Sequence, residues 1–185
     1  MPKQQGSLPI VWDDALGPAF ALGPGGTAPT IGTFVGVIRL LTFDPGDYLD
    51  FAIQFPHDVH IPSSGNVTFR PHVHWTCVSE PDTGDTVIWE IAWLYARVGA
   101  QYAGTVNTLT GPTYTCSDGA TELRQHIVTS LGDITVAAAD VGPSGIMVGR
   151  LILKSTSTIN NDVPALLSFD IHYQKGPIGT DGEFS

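Results

Sequence analysis

The residues best suited to metal chemistry in this sequence are two histidines separated by one residue, His72 and His74. Alternate residues of a β-strand lie on the same face, so in a strand both imidazoles point the same way. Two imidazoles on one face can bind a single metal ion. A second pair of polar residues, Asp170 and His172, shares one face of another predicted strand.

A metal site of the cupin type needs more than a histidine pair. Cupin sites follow His-x-His with a glutamate and, later in the chain, with another histidine. Here Glu80 lies one or two residues further along than that motif requires, and the expected glycine and proline pattern is absent around His126 and His172. We therefore expect the histidines to hydrogen-bond across the sheet. A cupin-like metal-dependent enzyme using His72 and His74 is the alternative.

Other patterns typical of catalysis are missing from the sequence. No glycine-rich loop leads from a strand into a helix, as a phosphate-binding loop requires, and there is no Gly-x-Ser-x-Gly nucleophile elbow. Two turns contain aspartate pairs, Asp44 with Asp47 and Asp82 with Asp85. Aspartate is favoured in turns, and a weak Ca²⁺ site is the other interpretation. We predict no catalytic, cofactor-binding or metal-binding residues, no cofactor and no enzymatic activity.

The histidine pair lies in residues 65–99, the stretch around which the rest of the chain is organised. Alternation gives the first strand a polar and an apolar face: Arg70, His72, His74 and Thr76 against Val73, Trp75 and Cys77. The return strand has its own apolar set: Val87, Trp89, Ile91, Trp93 and Tyr95. Proline and glycine in residues 80–85 predict a hairpin loop between the two strands. Trp75 and Trp89 are therefore the predicted anchors of the core.

Composition and charge restrict the class of protein. A chain of 185 residues is expected to form one domain. Its 8 basic and 18 acidic residues give a net charge of −10, which argues against nucleic acid or an anionic membrane as partner. Only 14% of residues are charged, so much of the surface is neutral polar or apolar, which leaves room for contacts with other protein subunits. No segment reaches the ~20 apolar residues of a membrane span, and the first residues lack the apolar run of a signal peptide.

The pattern of apolar residues and turns predicts an all-β fold. Besides residues 65–99, strands are expected at 31–41, 48–55, 146–155 and 165–175, with one or two short strands in 101–118. Residues 121–129 favour a strand over a helical turn, and residues 133–145 are predicted to be a long loop. About eight strands with little helix indicate two packed antiparallel sheets, in a jelly-roll-like β-sandwich. Cys77 falls on an apolar strand face, so a buried free thiol is favoured over a disulfide with Cys116.

Residues 1–30 differ from the rest, so we divide the chain into an extended Gly/Pro-rich N-terminal arm, 1–30, and a β-sandwich domain, 31–185. The repeated Gly-Pro and Ala-Pro pairs of the arm cannot sustain a helix or a central strand. The arm nevertheless carries Trp12, Phe20 and several aliphatic residues, which need a surface to pack on. Two interpretations stay open: the arm lies on its own domain, or it reaches a neighbouring subunit.

Several strings of the sequence resemble a family of small virion structural proteins of tailed bacteriophages and prophages. They are RPHVHW at 70–75, GDTVIWEI at 84–91, YARVG at 95–99, LLSFDIHYQ at 166–174 and GTDGEF at 179–184. The similarity covers roughly residues 48–185 and leaves the arm outside. The resemblance implies a component of the virus particle, made in the host cytoplasm.

From this resemblance we expect a capsid decoration or cement protein that stabilises the head. A head-fibre, neck or tail component is the runner-up within the same class. The expected partners are the major capsid protein or other virion proteins and further copies of the chain, arranged as a homotrimer. Neither nucleic acid nor a membrane is expected as a partner.

Overall fold

The computed structural model describes residues 11–16, 20–21, 28–159 and 164–176, and nearly all of its regular elements are strands. The first seven are β1 (Val11–Leu16), β2 (Phe20–Ala21), β3 (Thr30–Val35), β4 (Ile38–Thr42), β5 (Tyr48–Gln54), β6 (Asn66–Cys77) and β7 (Thr86–Val87). The next seven are β8 (Trp89–Ala96), β9 (Asn107–Thr110), β10 (Tyr114–Thr115), β11 (Ile127–Ser130), β12 (Ile134–Ala137), β13 (Ile146–Leu153) and β14 (Pro164–Lys175). A short helix, α1 (Gly119–Glu122), and a 3₁₀ turn, Ala138–Asp140, complete the described elements. Neither is long or apolar enough to cross a membrane.

The strands form two main antiparallel sheets. Sheet A is built on the long central strands β6 and β14, which pair with each other. On its other side β6 pairs with β11 and β12, whereas β14 pairs with β1 and β4, and β3 pairs with β4. Sheet B has the order β2-β5-β13-β8-β9, and β7 pairs with β10 as a separate ribbon. The predicted all-β antiparallel sandwich is confirmed, while its jelly-roll connectivity stays a prediction.

The inner faces of the two sheets meet in one aromatic-rich core. Trp75 of sheet A and Trp89 of sheet B are both 0% exposed, and their rings lie 6.5 Å apart in an edge-to-face arrangement. Phe51 and Phe169 make a second contact between the sheets, at 4.8 Å. Trp75 also donates its indole N–H to the hydroxyl of Thr129. The prediction that both tryptophans anchor the core is therefore confirmed.

The predicted hairpin between the two tryptophan-bearing strands is wrong. β6 belongs to sheet A and β8 to sheet B, so residues 78–85 carry the chain from one sheet to the other. The turn itself exists: Gly84 has φ +96°, and the Asp85 carboxylate accepts a hydrogen bond from the backbone N–H of Asp82. Alternation predicts which face of each strand is buried. It does not show whether two consecutive strands pair edge to edge in one sheet or pack face to face from two sheets.

Three further segments differ from the sequence-based predictions. Residues 31–41 are the hairpin β3–β4 rather than one strand, because Gly36 adopts φ +57° and forms a tight turn with Val37. Residues 133–145 are not a long loop, since they contain β12 and a 3₁₀ turn. Residues 121–129 are predicted to favour a strand, but only 127–129 belong to one, β11; 121–122 end α1, and 123–126 connect the two elements. Two short strands, β9 and β10, lie within residues 101–118 as predicted, and Cys77 and Cys116 are both buried and form no disulfide.

Strand pairing extends into the N-terminal arm. β1 runs antiparallel to β14 from Val11, opposite Lys175, to Leu16, opposite Asp170. Phe20 and Ala21 pair with β5 in sheet B. The ring of Trp12 lies under the guanidinium of Arg70, 4.3 Å from the ring centroid. The described parts of the arm thus lie on their own domain; its other apolar residues, including Leu8, Ile10 and Leu22, fall outside the described residues.

Candidate functional site

Four of the six histidines gather on the outer face of sheet A. His72 and His74 point outward from β6 because the residues between and after them, Val73 and Trp75, fill the core. The pairing of β6 with β14 places Asp170 directly opposite His72. We call the outward group formed by Asp14, His72, His74, His126, Asp170 and His172 the histidine cluster.

A β-bulge in β14 sets the register on which this cluster depends. Leu166 pairs with Trp75 and Ser168 pairs with His74, so Leu167 is the extra residue between them. Sequence alternation predicts Leu167 on the same face as Phe169, but the bulge leaves it 40% exposed. After the bulge the predicted alternation holds, and Asp170 and His172 face outward.

Asp170 is the centre of the cluster and is only 5% exposed. One of its carboxylate oxygens, Oδ2, lies 2.9 Å from Nε2 of His74. The other, Oδ1, lies 3.6 Å from both Nδ1 of His72 and Nε2 of His172. Oδ1 of Asp170 and Nδ1 of His72 are buried atoms without a hydrogen-bond partner. The Asp170 carboxylate therefore has a close polar partner at Oδ2 and no hydrogen-bond partner at Oδ1.

Two further residues extend the cluster at opposite ends. The Nδ1 atom of His74 lies 2.8 Å from Nε2 of His126, in the segment between α1 and β11. When His74 is neutral and donates from Nε2 to Asp170, its Nδ1 accepts a hydrogen bond from His126. At the other end, Asp14 of β1 places Oδ1 2.8 Å from Nε2 of His172.

The expectation that the histidines hydrogen-bond across the sheet is confirmed for His74 and His172, which contact carboxylates on neighbouring strands. Sequence reasoning identified His72, His74, Asp170 and His172 but did not connect Asp14 or His126 with them. Asp14 belongs to the arm and His126 lies 52 residues beyond His74. The pairing of β1 with β14 brings Asp14 to the cluster, and the pairing of β11 with β6 brings the segment that holds His126. The local spacing of residues in the sequence gives no signal of either pairing.

The environment of His72 favours a neutral imidazole. Burial lowers its pKa below the ordinary histidine value of 6.5, and the nearby His172 and His74 lower it further when they are charged. The Asp170 carboxylate offsets part of this shift. A neutral imidazole has a free lone pair, which is the form that binds metals.

The atoms Nδ1 of His72, one oxygen of Asp170 and Nε2 of His172 could hold a metal ion, since suitable ligand atoms of the three residues lie within 4.8 Å of one another. This is the one such group in the part of the chain that the structure describes. The histidine pair identified in the sequence, His72 and His74, is therefore divided. His72 belongs to this group of three, whereas His74 contacts the other oxygen of Asp170, Oδ2. Glu80 is exposed in the connection after β6.

The aspartate pairs in turns have a structural explanation. The carboxylate of Asp47 accepts a hydrogen bond from the backbone N–H of Asp44, and that of Asp85 accepts one from Asp82. Asp47 is 3% exposed and Asp85 is 7% exposed. Each buried carboxylate closes its own four-residue turn, as aspartate commonly does.

A second notable surface is the β3–β4 hairpin, residues 30–42. Its exposed apolar residues are Ile31, Val35, Val37 and Ile38, which are 65%, 43%, 95% and 56% exposed. β4 pairs with β14 only at Ala165 and Leu166, so the tip of the hairpin extends past this short attachment. A two-stranded ribbon is marginally stable by itself, and exposed apolar patches of this kind commonly mark protein contacts.

No protein-family model matches the sequence, and a search of curated proteins finds no significant match.

Proposed function

We propose that this chain is a structural protein of a tailed-phage or prophage virion, and more specifically a decoration protein that binds the capsid and stabilises the head. Support comes from the sequence strings that resemble such proteins and from the antiparallel sandwich in which they lie. A head-fibre, neck or tail component is the runner-up within this class.

The observation that carries the proposal is the exposed apolar tip of the β3–β4 hairpin. Val37 is 95% exposed at the turn, and Ile38 beside it is 56% exposed. Burying such residues stabilises a complex by about 25 cal/mol per Å² of apolar surface. A protein that acts by binding other proteins has a use for this surface, whereas a monomeric enzyme does not.

We assign the hairpin to contacts between copies of the chain, in a homotrimer. Each copy has a net charge of −10, so two copies repel each other unless they meet through a surface with little negative charge. Residues 30–42 contain no acidic residue and one basic residue, Arg39. β3 is also an edge strand of sheet A, and an edge offers unpaired backbone groups to a second strand.

A cupin-like metal-dependent enzyme remains the alternative from another class. Its predicted ligand pair would be His72 and His74, but Nε2 of His74 already contacts Asp170. Substrate sites are usually enclosed clefts, whereas the histidine cluster lies on the outer face of sheet A. We therefore propose no catalytic role for the cluster.

Light scattering of the purified chain tests the self-association. We expect a trimer, and we expect Val37→Asp to give monomers because it places a charge at the centre of the apolar tip. Val98→Asp is the matched control, since Val98 is an equally apolar residue, 52% exposed, on a different turn. A monomeric natural chain, or equal effects of both substitutions, would overturn the assignment of the hairpin.

The particle itself tests the class of protein. Virions from a host that carries the gene are purified and examined by mass spectrometry and by image reconstruction. We expect the chain in stoichiometric amount, with density for a two-sheet sandwich on the outside of the head. Density at the neck or tail would support the runner-up, and absence of the chain from purified particles would exclude both.

A further inference from the structure

We propose that His72, Asp170 and His172 bind one divalent transition-metal ion, with Asp14 of β1 as the fourth ligand. The ion would join three neighbouring strands, β6, β14 and β1, on the outer face of sheet A. This inference is independent of the proposed function, because it rests on the histidine cluster and not on the β3–β4 hairpin.

The spacing of the ligand atoms fits a tetrahedral ion. Two ligands about 2.1 Å from a tetrahedral metal lie roughly 3.4 Å from each other. The Oδ1 atom of Asp170 lies 3.6 Å from Nδ1 of His72 and 3.6 Å from Nε2 of His172. Both distances are too long for a hydrogen bond, yet they need to change by only a few tenths of an ångström to accommodate an ion.

Unsatisfied buried atoms provide a second observation. Oδ1 of Asp170 and Nδ1 of His72 have no hydrogen-bond partner. The Asp170 side chain is 7% exposed and that of His72 is 14% exposed. Leaving such groups unpaired in a buried position destabilises the fold, and more so for a charged group. A metal ion between them would satisfy both atoms at once.

The surrounding residues hold the carboxylate as a metal site requires. His74 contacts the oxygen of Asp170 that faces away from the trio, at 2.9 Å, and His126 contacts His74 at 2.8 Å. Ligating carboxylates in metalloproteins are commonly fixed by hydrogen bonds of this kind. Oδ1 is thereby directed toward His72 and His172.

The donor atoms select the class of metal. Two imidazole nitrogens with carboxylate oxygens suit Zn²⁺ and its neighbours Fe²⁺, Co²⁺ and Ni²⁺. Ca²⁺ and Mg²⁺ favour six or more oxygen ligands, which the trio does not provide. We therefore choose Zn²⁺ and Co²⁺ as probes.

Asp14 brings the N-terminal strand into the site. It pairs with His172 in the register of β1 and β14, and its Oδ1 lies 2.8 Å from Nε2 of His172. An ion that binds this nitrogen replaces the hydrogen bond and lies next to the Asp14 carboxylate. The side chain of Asp14 is 54% exposed, so it is free to adjust. Metal binding should therefore fasten β1 to the sandwich.

The test uses the untagged full chain, stripped with a chelator and titrated with Zn²⁺ by calorimetry. We expect one equivalent to bind and the melting temperature to rise with free Zn²⁺. His72→Gln, Asp170→Asn and His172→Gln should each weaken binding by at least about 100-fold, and His74→Gln by about 10- to 100-fold. His57→Gln is the matched control, because His57 contacts Ser144 outside the cluster; it should bind as the natural chain does.

Cobalt absorption keeps the test decisive if a ligand variant fails to fold. The natural chain with one equivalent of Co²⁺ should show the intense visible bands of a four-coordinate nitrogen and oxygen site. The absence of saturable binding near one equivalent, or unchanged binding in folded His172→Gln, would overturn the site. Limited proteolysis tests the fourth ligand: Zn²⁺ should protect residues 11–16 in the natural chain but not in Asp14→Asn, and equal protection would exclude Asp14.

Discussion

Truncation of Trp75 should strongly destabilise the sandwich. It is fully buried, contacts Trp89 of the opposite sheet, and donates a hydrogen bond to Thr129. We expect Trp75→Ala to lower the free energy of unfolding by about 3–5 kcal/mol, the usual effect of deleting a buried aromatic side chain. Urea denaturation measures this change. Trp12→Ala is the control, because Trp12 is 39% exposed; an equal effect of both substitutions would mean that Trp75 is not a core anchor.

Glu122 should make stability depend on pH in the acid range. Burial raises the pKa of this carboxyl, but hydrogen bonds from Ser117 and Tyr114 to its Oε1 outweigh burial and lower it below the ordinary value. A carboxyl whose pKa is lowered by folding stabilises the fold at pH values above its pKa in the unfolded chain, about 4.3. This contribution to stability is lost as the pH falls through the pKa of the folded state. We therefore expect Glu122→Gln to destabilise the chain at pH 7, with a smaller difference below about pH 4. Thermal melts across pH measure the difference, and a constant gap between the two proteins would contradict the assignment.

At the scale of elements, the strand β1 is the clearest case for a truncation. Deleting residues 1–16 removes its pairing with β14 and two ion pairs, Asp13 with Lys175 and Asp14 with His172. Partly exposed ion pairs contribute little to stability, and β1 is an edge strand. We therefore expect the truncated chain to keep a folded sandwich whose free energy of unfolding, measured by urea denaturation, is lower than that of the natural chain.

Light scattering of the same truncated chain distinguishes the two interpretations of the arm. If the arm lies on its own domain, the trimer should persist. A truncated chain that loses its oligomer but keeps its stability would mean that the arm binds a neighbouring subunit. Asp13→Ala serves as the control, because it removes the ion pair with Lys175 and leaves the strand in place.

The sequence predicts strands better than it predicts their partners. Period-two alternation identifies β6 and β14, their buried faces, and the outward positions of His72, His74 and Asp170. It fails at Leu167, because a bulge is a property of a paired strand and leaves no local signal. The hairpin prediction for β6 and β8 fails for a related reason. The composition of a turn does not show whether the two strands that it connects belong to one sheet or to two.

The candidate site shows the same limit. Asp170 faces His72 only through the register of two strands that are far apart in sequence, and Asp14 joins them through a third strand. These long-range pairings depend on how all the apolar faces are buried together. A single sequence contains no signal for them at the level of spacing or motif.

At the scale of the whole molecule, β14 holds sheet A together, because β1, β4 and β6 all pair with it. We expect a chain that ends after Ile159 to lack a cooperative unfolding transition and the near-ultraviolet dichroism of packed tryptophans. A chain that ends after Gly176 is the control, since it keeps every described strand. A folded sheet A in the shorter chain would contradict the central role of β14.

The central position of β14 also has a consequence for the order in which the protein can fold. β6 ends at Cys77, but β14, the long strand that pairs with it at the centre of sheet A, begins only at Pro164. During synthesis β6 therefore leaves the ribosome long before β14 exists, with Val73 and Trp75 unburied. Folds dominated by pairings between distant segments form slowly, and their apolar strands stay exposed until the partner strands are available. The surplus of acidic residues, a net charge of −10, should keep these nascent chains apart until β14 completes the sheet.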